Sequence, residues 1–220
     1  MSNPIKPTIK SEIFSILLIA ISLAAAFYFY AHFPARVITH WNLAGEPNGW
    51  SSPAFAAFFL PLLLIGLYFL FLLLPLIDPK KERYAEFAKA YNIFRNIFIL
   101  FFVILYFVVS LNNLGYNLDI ELWTTGLIGL LFIVLGAYLG KIKPNWFVGI
   151  RTPWTLSSET VWNKSHRFGG KVFVLGGILM IIAGLSPLPW RLPIFIADII
   201  ILLSGTVVYS YIVYLREKKK

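Results

Sequence analysis

At 220 residues, with 59% hydrophobic side chains, a mean hydropathy of +0.77 and only 13% charged residues, the chain lies far from water-soluble domains, in which about a quarter of residues are charged. It reads as an integral membrane protein, and the net charge of +9 is explained within that class, without direct nucleic-acid binding. Cysteine is absent, which removes disulfides and thiolate metal sites and leaves the redox compartment unread.

Six apolar runs have about the length needed to cross a bilayer: Ile13–Ala31, Phe55–Ile77, Ile93–Leu111, Leu122–Gly140, Val172–Leu185 and Ile194–Leu215. None shows the alternation of a barrel strand, so helices must satisfy the backbone in lipid. The expected fold is an all-α bundle of six transmembrane helices forming a single polytopic domain over residues 1–220. Basic residues set its orientation. Lys6 and Lys10 precede the first run, and Lys80, Lys81, Arg83, Lys89 and Arg95 fall beside the second and third. Lys141, Lys143, Arg151, Lys164, Arg167 and Lys171 lie between the fourth and fifth, and Arg216, Lys218, Lys219 and Lys220 follow the sixth. Of the 19 basic residues only Arg36 and Arg191 fall on the other side, so both termini are expected in the cytoplasm. The terminal Arg216–Lys220 cluster adds attraction to anionic lipid of the bilayer.

Taken in order, Lys6, Lys10, an apolar stretch and Ala24–Ala26 resemble a cleavable signal peptide. The run continues through Phe27–Tyr30, long enough to span, so the first helix is expected to be retained. The external loop, residues 32–52, holds His32, His40, Trp41, Asn42, Gly45, Glu46 and Trp50. Its histidine and carboxylate spacing fits no metal-ligand pattern, so neither a metal nor another cofactor is assigned. It reads as a structured cap with a turn at Glu46–Gly49, or as a plain connector anchoring two spans.

Residues 78–92 are expected to form a cytoplasmic helical extension of the third span, with Asp78 capping it and Pro79 at its first position. Tyr84, Phe87, Ala88 and Tyr91 make one apolar stripe, which either packs on a neighbouring helix or docks a cytoplasmic partner. A short external turn from Asn112 to Glu121 follows. Gly126, Gly129, Gly136 and Gly140 in the fourth span and Gly176, Gly177 and Gly184 in the fifth permit close packing, with Gly136 and Gly140 in small-xxx-small spacing.

Between those spans lies a cytoplasmic loop, residues 141–171, whose composition no apolar requirement explains. It holds Asn145, Trp146, Gly149, Arg151, Thr152, Pro153, Trp154, Ser157, Glu159, Trp162, His166 and Arg167. Pro144 and Gly149 imply irregular backbone, and Ser157 with Glu159 a helix start that runs on into the fifth span. Trp162, His166 and Gly170 then share one helix face, and Asn163 with Arg167 another. Arg151 either grips a carboxylate, carbonyl or phosphate of a partner, or folds the loop by holding helix-end carbonyls. Glu159 and His166 stand seven residues apart and no glycine-rich elbow presents a serine, so no catalytic residue is assigned. Finally, SPLPWRLP makes an outer turn, and Asp198 is the one carboxylate deep inside an apolar run. Arg191 on the same helix face, or Arg36, offers a salt bridge to it; a proton or ion site is the alternative.

Two stretches carry a family resemblance. GIRTPWTLSSETVW, residues 149–162, followed by KSHRFGG, residues 164–170, resembles the signature of the SdpI-type immunity proteins of bacteria. PARVITH and GEPNGW, within residues 34–50, are similar to the amino-terminal domain of unknown function that usually precedes it. The resemblance implies a bacterial cytoplasmic-membrane protein that protects against a secreted antimicrobial peptide, and the residues themselves give no reason to expect an enzyme. It also implies a second partner, a cytoplasmic ArsR-type repressor held at the membrane. A small-molecule or ion transporter is the rival, and a membrane-embedded enzyme a further one.

Overall fold

The computed structural model describes residues 4–42 and 45–219. Helix α1, Ile9–His32, starts at a Thr8 cap whose hydroxyl accepts from Ser11 N–H. A two-stranded antiparallel hairpin, β1 Val37–Trp41 and β2 Pro47–Ser51, leads into α2, Pro53–Ile77. A 3-10 segment, Lys81–Phe87, continues into α3, Ala88–Asn113, and α4 covers Ile120–Leu139. The short α5, Pro153–Ser157, precedes α6, Glu159–Leu185. Helix α7, Leu188–Leu203, passes through a π-helical turn, Ser204–Val208, into α8, Tyr209–Lys218. Among the described residues six helical stretches are long and apolar enough to cross a membrane, as hydropathy predicts. The fifth is no short span, because α6 begins at Glu159 and carries the loop's last polar turns as one helix.

Two prolines interrupt the hydrogen-bond ladder of α2. Pro61 and Pro75 cannot donate, which frees the carbonyls four residues back, Ala57 and Phe71. Both are recovered by phenols of α3: Tyr106 Oη donates to Ala57 O at 2.9 Å and Tyr91 Oη to Phe71 O at 2.6 Å. In hydrocarbon an orphaned carbonyl has no water to turn to, so these bonds tie α2 to α3.

The closest helix pair is α4 against α6. A Cβ on Gly136 would stand 2.5 Å from the carbonyl oxygen of Gly170, and one on Gly177 would stand 2.4 Å from that of Gly129. The backbones therefore touch at two levels, and only glycine fits at either. The seam pairs Gly129 and Gly136 with Gly177 and Gly170, a Cβ on Gly140 would stand 3.4 Å from Arg167 Cα one turn further along the same face, and all of it lies within one chain.

Several expectations are corrected here. Asp78 ends α2 instead of capping the next helix; its carboxylate accepts from Lys80 N–H at 2.7 Å, a local turn of the kind aspartate favours. Tyr84, Phe87 and Tyr91 are buried in the main apolar cluster with Ala88 packed against it, so that stripe faces the bundle. Asp198 is not the only buried acid, since Glu12 is buried too and pairs with Arg95 at 2.9 Å, while Tyr68 Oη donates to its other oxygen at 2.8 Å. Arg95 thus serves a buried ion pair and is a poor orientation marker.

Candidate functional site

The stretch from Lys141 to Ser158 folds around one side chain. Asn145 is fully buried, and its Nδ2 donates to Lys143 O at 2.8 Å and Val148 O at 2.9 Å. Its Oδ1 accepts from Phe147 N–H at 2.9 Å and Val148 N–H at 2.6 Å. Each partner of the nitrogen is a carbonyl and each backbone partner of the oxygen an N–H, which fixes the amide orientation. Asp78 reaches the same turn from the end of α2, accepting from Trp146 N–H and Tyr84 Oη, each at 2.9 Å. A buried carboxylate so supplied with donors stitches α2, the 3-10 segment and the loop into one body.

Gly149 adopts φ +116°, and a Cβ there would lie 2.3 Å from His166 Nε2, so both conformation and space demand glycine. The histidine uses that space: Ile150 N–H donates to its Nε2 at 2.9 Å and its Nδ1 lies 2.9 Å from Trp162 O. A carbonyl only accepts, so Nδ1 carries the proton and the ring is neutral. The Trp162 ring stacks on the imidazole at 4.0 Å, and its Nε1 donates to Ile142 O at 2.8 Å. The face predicted from Trp162, His166 and Gly170 is thus the buried face of α6, closing the loop onto the bundle.

Thr152 caps α5 in a reciprocal box with Thr155, Pro153 takes the first helical position, and the Thr152 and Ser210 hydroxyls meet at 3.2 Å. Trp154 packs on Tyr211, and Ser157 Oγ donates to Trp154 O at 3.0 Å. Ser158, not Ser157, caps α6, and its hydroxyl also donates to Glu217 at 2.6 Å. Arg151 is exposed and donates to Trp146 O at 2.8 Å, so the carbonyl it holds belongs to the loop and not to a helix end. Glu159 pairs with Arg83 at 2.6 Å, and Arg167 is exposed. A cleft of about 340 Å³ opens here, lined by Lys80, Arg83, Pro144, Ser157 and Glu159 among others.

The structure therefore gathers Asn145, Gly149, Trp162 and His166 into one buried knot and leaves Arg151, Glu159 and Arg167 at its surface. Glu159 and His166 serve separate partners and form no acid-base pair. Sequence reasoning missed Asp78 and Tyr84, which complete the knot, and Ser210 and Glu217, which anchor it to the last helix. The signal available for Asp78 was a lone acid between a long apolar run and a proline.

On the opposite face, Glu46–Gly49 does not form the expected turn, and the hairpin closes between Asn42 and Glu46. Asn42 N–H donates to Glu46 O and its Oδ1 accepts from Glu46 N–H, each at 2.9 Å, while Gly45 takes φ +76°. Pro47–Gly49 belong to β2 instead. His40 Nδ1 lies 2.5 Å from Asn48 Oδ1, and Arg36 sits 5.2 Å over the half-exposed Trp50 ring. Asp198 lacks the expected salt bridge: Arg191 pairs with Glu121 and Arg36 lies on Trp50. The Asp198 carboxyl is 1% exposed, lies against Gly176, and its Oδ1 has no hydrogen-bond partner.

Comparison with known proteins follows the same two segments. The family model for the SdpI/YfhL protein family matches residues 141–213, and that for a domain of unknown function, DUF1648, matches residues 17–65. The chain is 29% identical over 195 residues to the Immunity protein SdpI of Bacillus subtilis (strain 168), covering 89% of this chain and 90% of that protein. No solved structure matches. This is a multi-pass bacterial membrane protein, and the knot around Asn145 and His166 lies inside the segment that is similar to the SdpI/YfhL protein family.

Proposed function

We propose that the protein is a membrane immunity protein that protects its cell from a secreted antimicrobial peptide. One observation carries this: the similarity to an immunity protein runs through nearly the full length of both chains, across both matched segments. The hairpin faces outward and the basic face lies in the cytoplasm, a placement supported by the one-sided distribution of lysine and arginine. The described geometry adds that the loop's polar groups are largely spent on folding, as Asn145 and His166 illustrate, which favours a binding surface over catalysis.

A second activity, holding an ArsR-type repressor at the membrane, belongs to the same reading. What supports it is the cleft lined by Lys80, Arg83 and Glu159, with Arg151 and Arg167 exposed nearby, where protein contacts are chemically apt. The test is expression of the full chain in a sensitive bacterium challenged with the secreted peptide fraction of the Bacillus subtilis strain that carries the relative. Protection is expected, and reporter fusions after Asn48 and Ser158 should report opposite sides. Absence of protection at normal abundance would end the immunity reading.

A further inference from the structure

Under the hairpin lies a cavity of about 590 Å³. Its walls are apolar, from Leu105 of α3, Ile128 of α4, Met180 of α6 and Leu192 and Phe195 of α7, and strand β1 forms its roof at Thr39–Trp41. The volume falls within the few hundred to 1,000 Å³ typical of sites that enclose small ligands. Leu105 stands eight residues before the end of α3 at Asn113, so the cavity reaches about 12 Å below the hairpin end of the bundle. It is thus confined to the half of the bundle nearest the hairpin.

Its polar groups cluster at that end. Glu121 of α4 and Arg191 of α7 line the cavity and form an ion pair, and Arg191 Nε donates to Ser186 O at 2.9 Å. Both side chains are partly exposed, which places one anion and one cation at the mouth. The roof strand is tied to the bundle through its backbone. Asn113 takes both main-chain groups of Ile38, accepting from its N–H at 2.7 Å and donating to its carbonyl at 2.9 Å, as a neighbouring strand would. The mouth therefore presents both charge signs under a fixed roof, above an apolar chamber.

We propose that this cavity is the site that receives an apolar segment of the secreted peptide, with a charged end or side chain of that peptide exchanging into the Glu121–Arg191 pair. The proposal rests on the immunity reading and names the site for it. A polypeptide offers what the mouth can use: charges of both signs for the Glu121–Arg191 pair and apolar side chains for the chamber. An anionic phospholipid matches less of this, because its phosphate would meet Arg191 only by lying against Glu121.

The experiment places a photo-crosslinking amino acid at Ile128 or Leu192, and at the 53%-exposed Leu130 of α4 as the outward-facing control. Membranes of cells expressing each full-length variant are irradiated with the peptide fraction used in the protection assay, and adducts are identified by mass. Peptide adducts are expected at Ile128 and Leu192, about tenfold above Leu130. Filling the chamber with Ile128→Trp should mimic losing the site, so that about tenfold less peptide kills the cell at unchanged abundance. Lipid adducts alone at the cavity positions, or peptide adducts no stronger there than at Leu130, overturn the proposal while protection by the unmodified chain leaves the immunity reading standing. If the unmodified chain gives no protection, both fall.

Discussion

Replacing Asn145 by aspartate changes almost no volume but reverses the chemistry of one atom, and the loop should not survive it unharmed. The two bonds from Nδ2, to Lys143 O and Val148 O, are lost, at about 1 kcal/mol each. The oxygen that takes the place of Nδ2 faces those same two carbonyls with nothing to donate, which adds about 1–3 kcal/mol for polar groups left unsatisfied in a fully buried position. A total of roughly 3–5 kcal/mol follows, at the severe end of single substitutions. Arg151→Ala is the internal comparison: it removes one bond to Trp146 O from an exposed side chain, so about 0.5–1.5 kcal/mol is expected. Melting of the detergent-purified protein, read on a fluorescent fusion, should show Asn145→Asp lower by on the order of 10 °C and Arg151→Ala by only a few degrees. Limited proteolysis should cut the Asn145→Asp protein first between residues 141 and 158. If the aspartate variant melts with the wild type, or above Arg151→Ala, Asn145 does not organise this loop.

Tyr106→Phe should cost about 1–2 kcal/mol by orphaning Ala57 O, and this penalty should shrink in a Pro61→Ala background, where the restored N–H of residue 61 takes that carbonyl; additive losses in the double-mutant cycle would refute the link. Gly149→Ala should destabilise by about 2–4 kcal/mol, because its methyl strikes His166 and its φ is unsuited to alanine, so abundance and protection should fall together. Asp198→Asn should leave abundance unchanged, since no ion pair is broken; loss of protection, or of an ion-coupled flux in vesicles, at that normal abundance would assign the carboxyl a functional role.

The helices were legible because their signal is thermodynamic and one-dimensional: a residue is either compatible with hydrocarbon or it is not. Long-range polar pairing was not. Arg191 and Asp198 share a helix face by spacing, yet Arg191 turns to Glu121, a residue 70 positions away that no periodicity connects to it. Asp78 read as a helix cap because Asp-Pro before a polar helix usually is one, and only the folded loop supplies the donors from Trp146 and Tyr84 that claim its carboxylate. In the signature loop, residue identity pointed to a specific structure while the distinction between folding and binding stayed open. Side-chain geometry separates them: Asn145 and His166 turn inward, and Arg167 stays at the surface. The hairpin turn was misplaced because Pro47–Gly49 carries the commoner turn residues, whereas the decisive features were the Asn42 side chain closing on Glu46 and the positive φ of Gly45.

The reach of Asp78 bears on how the protein is made. Its loop partner, Trp146, follows it by 68 residues, with two further spans synthesised in between. While those spans enter the bilayer, the carboxylate can accept from Lys80 N–H and Tyr84 Oη but not yet from Trp146 N–H, so the seam at the end of α2 stays incomplete during that interval. The first four spans therefore emerge as an unfinished module whose last seam waits for the ribosome to deliver the loop. A chain arrested before Trp146 would leave the acidic end of α2 one donor short and uncovered by the loop, whereas the completed chain conceals it.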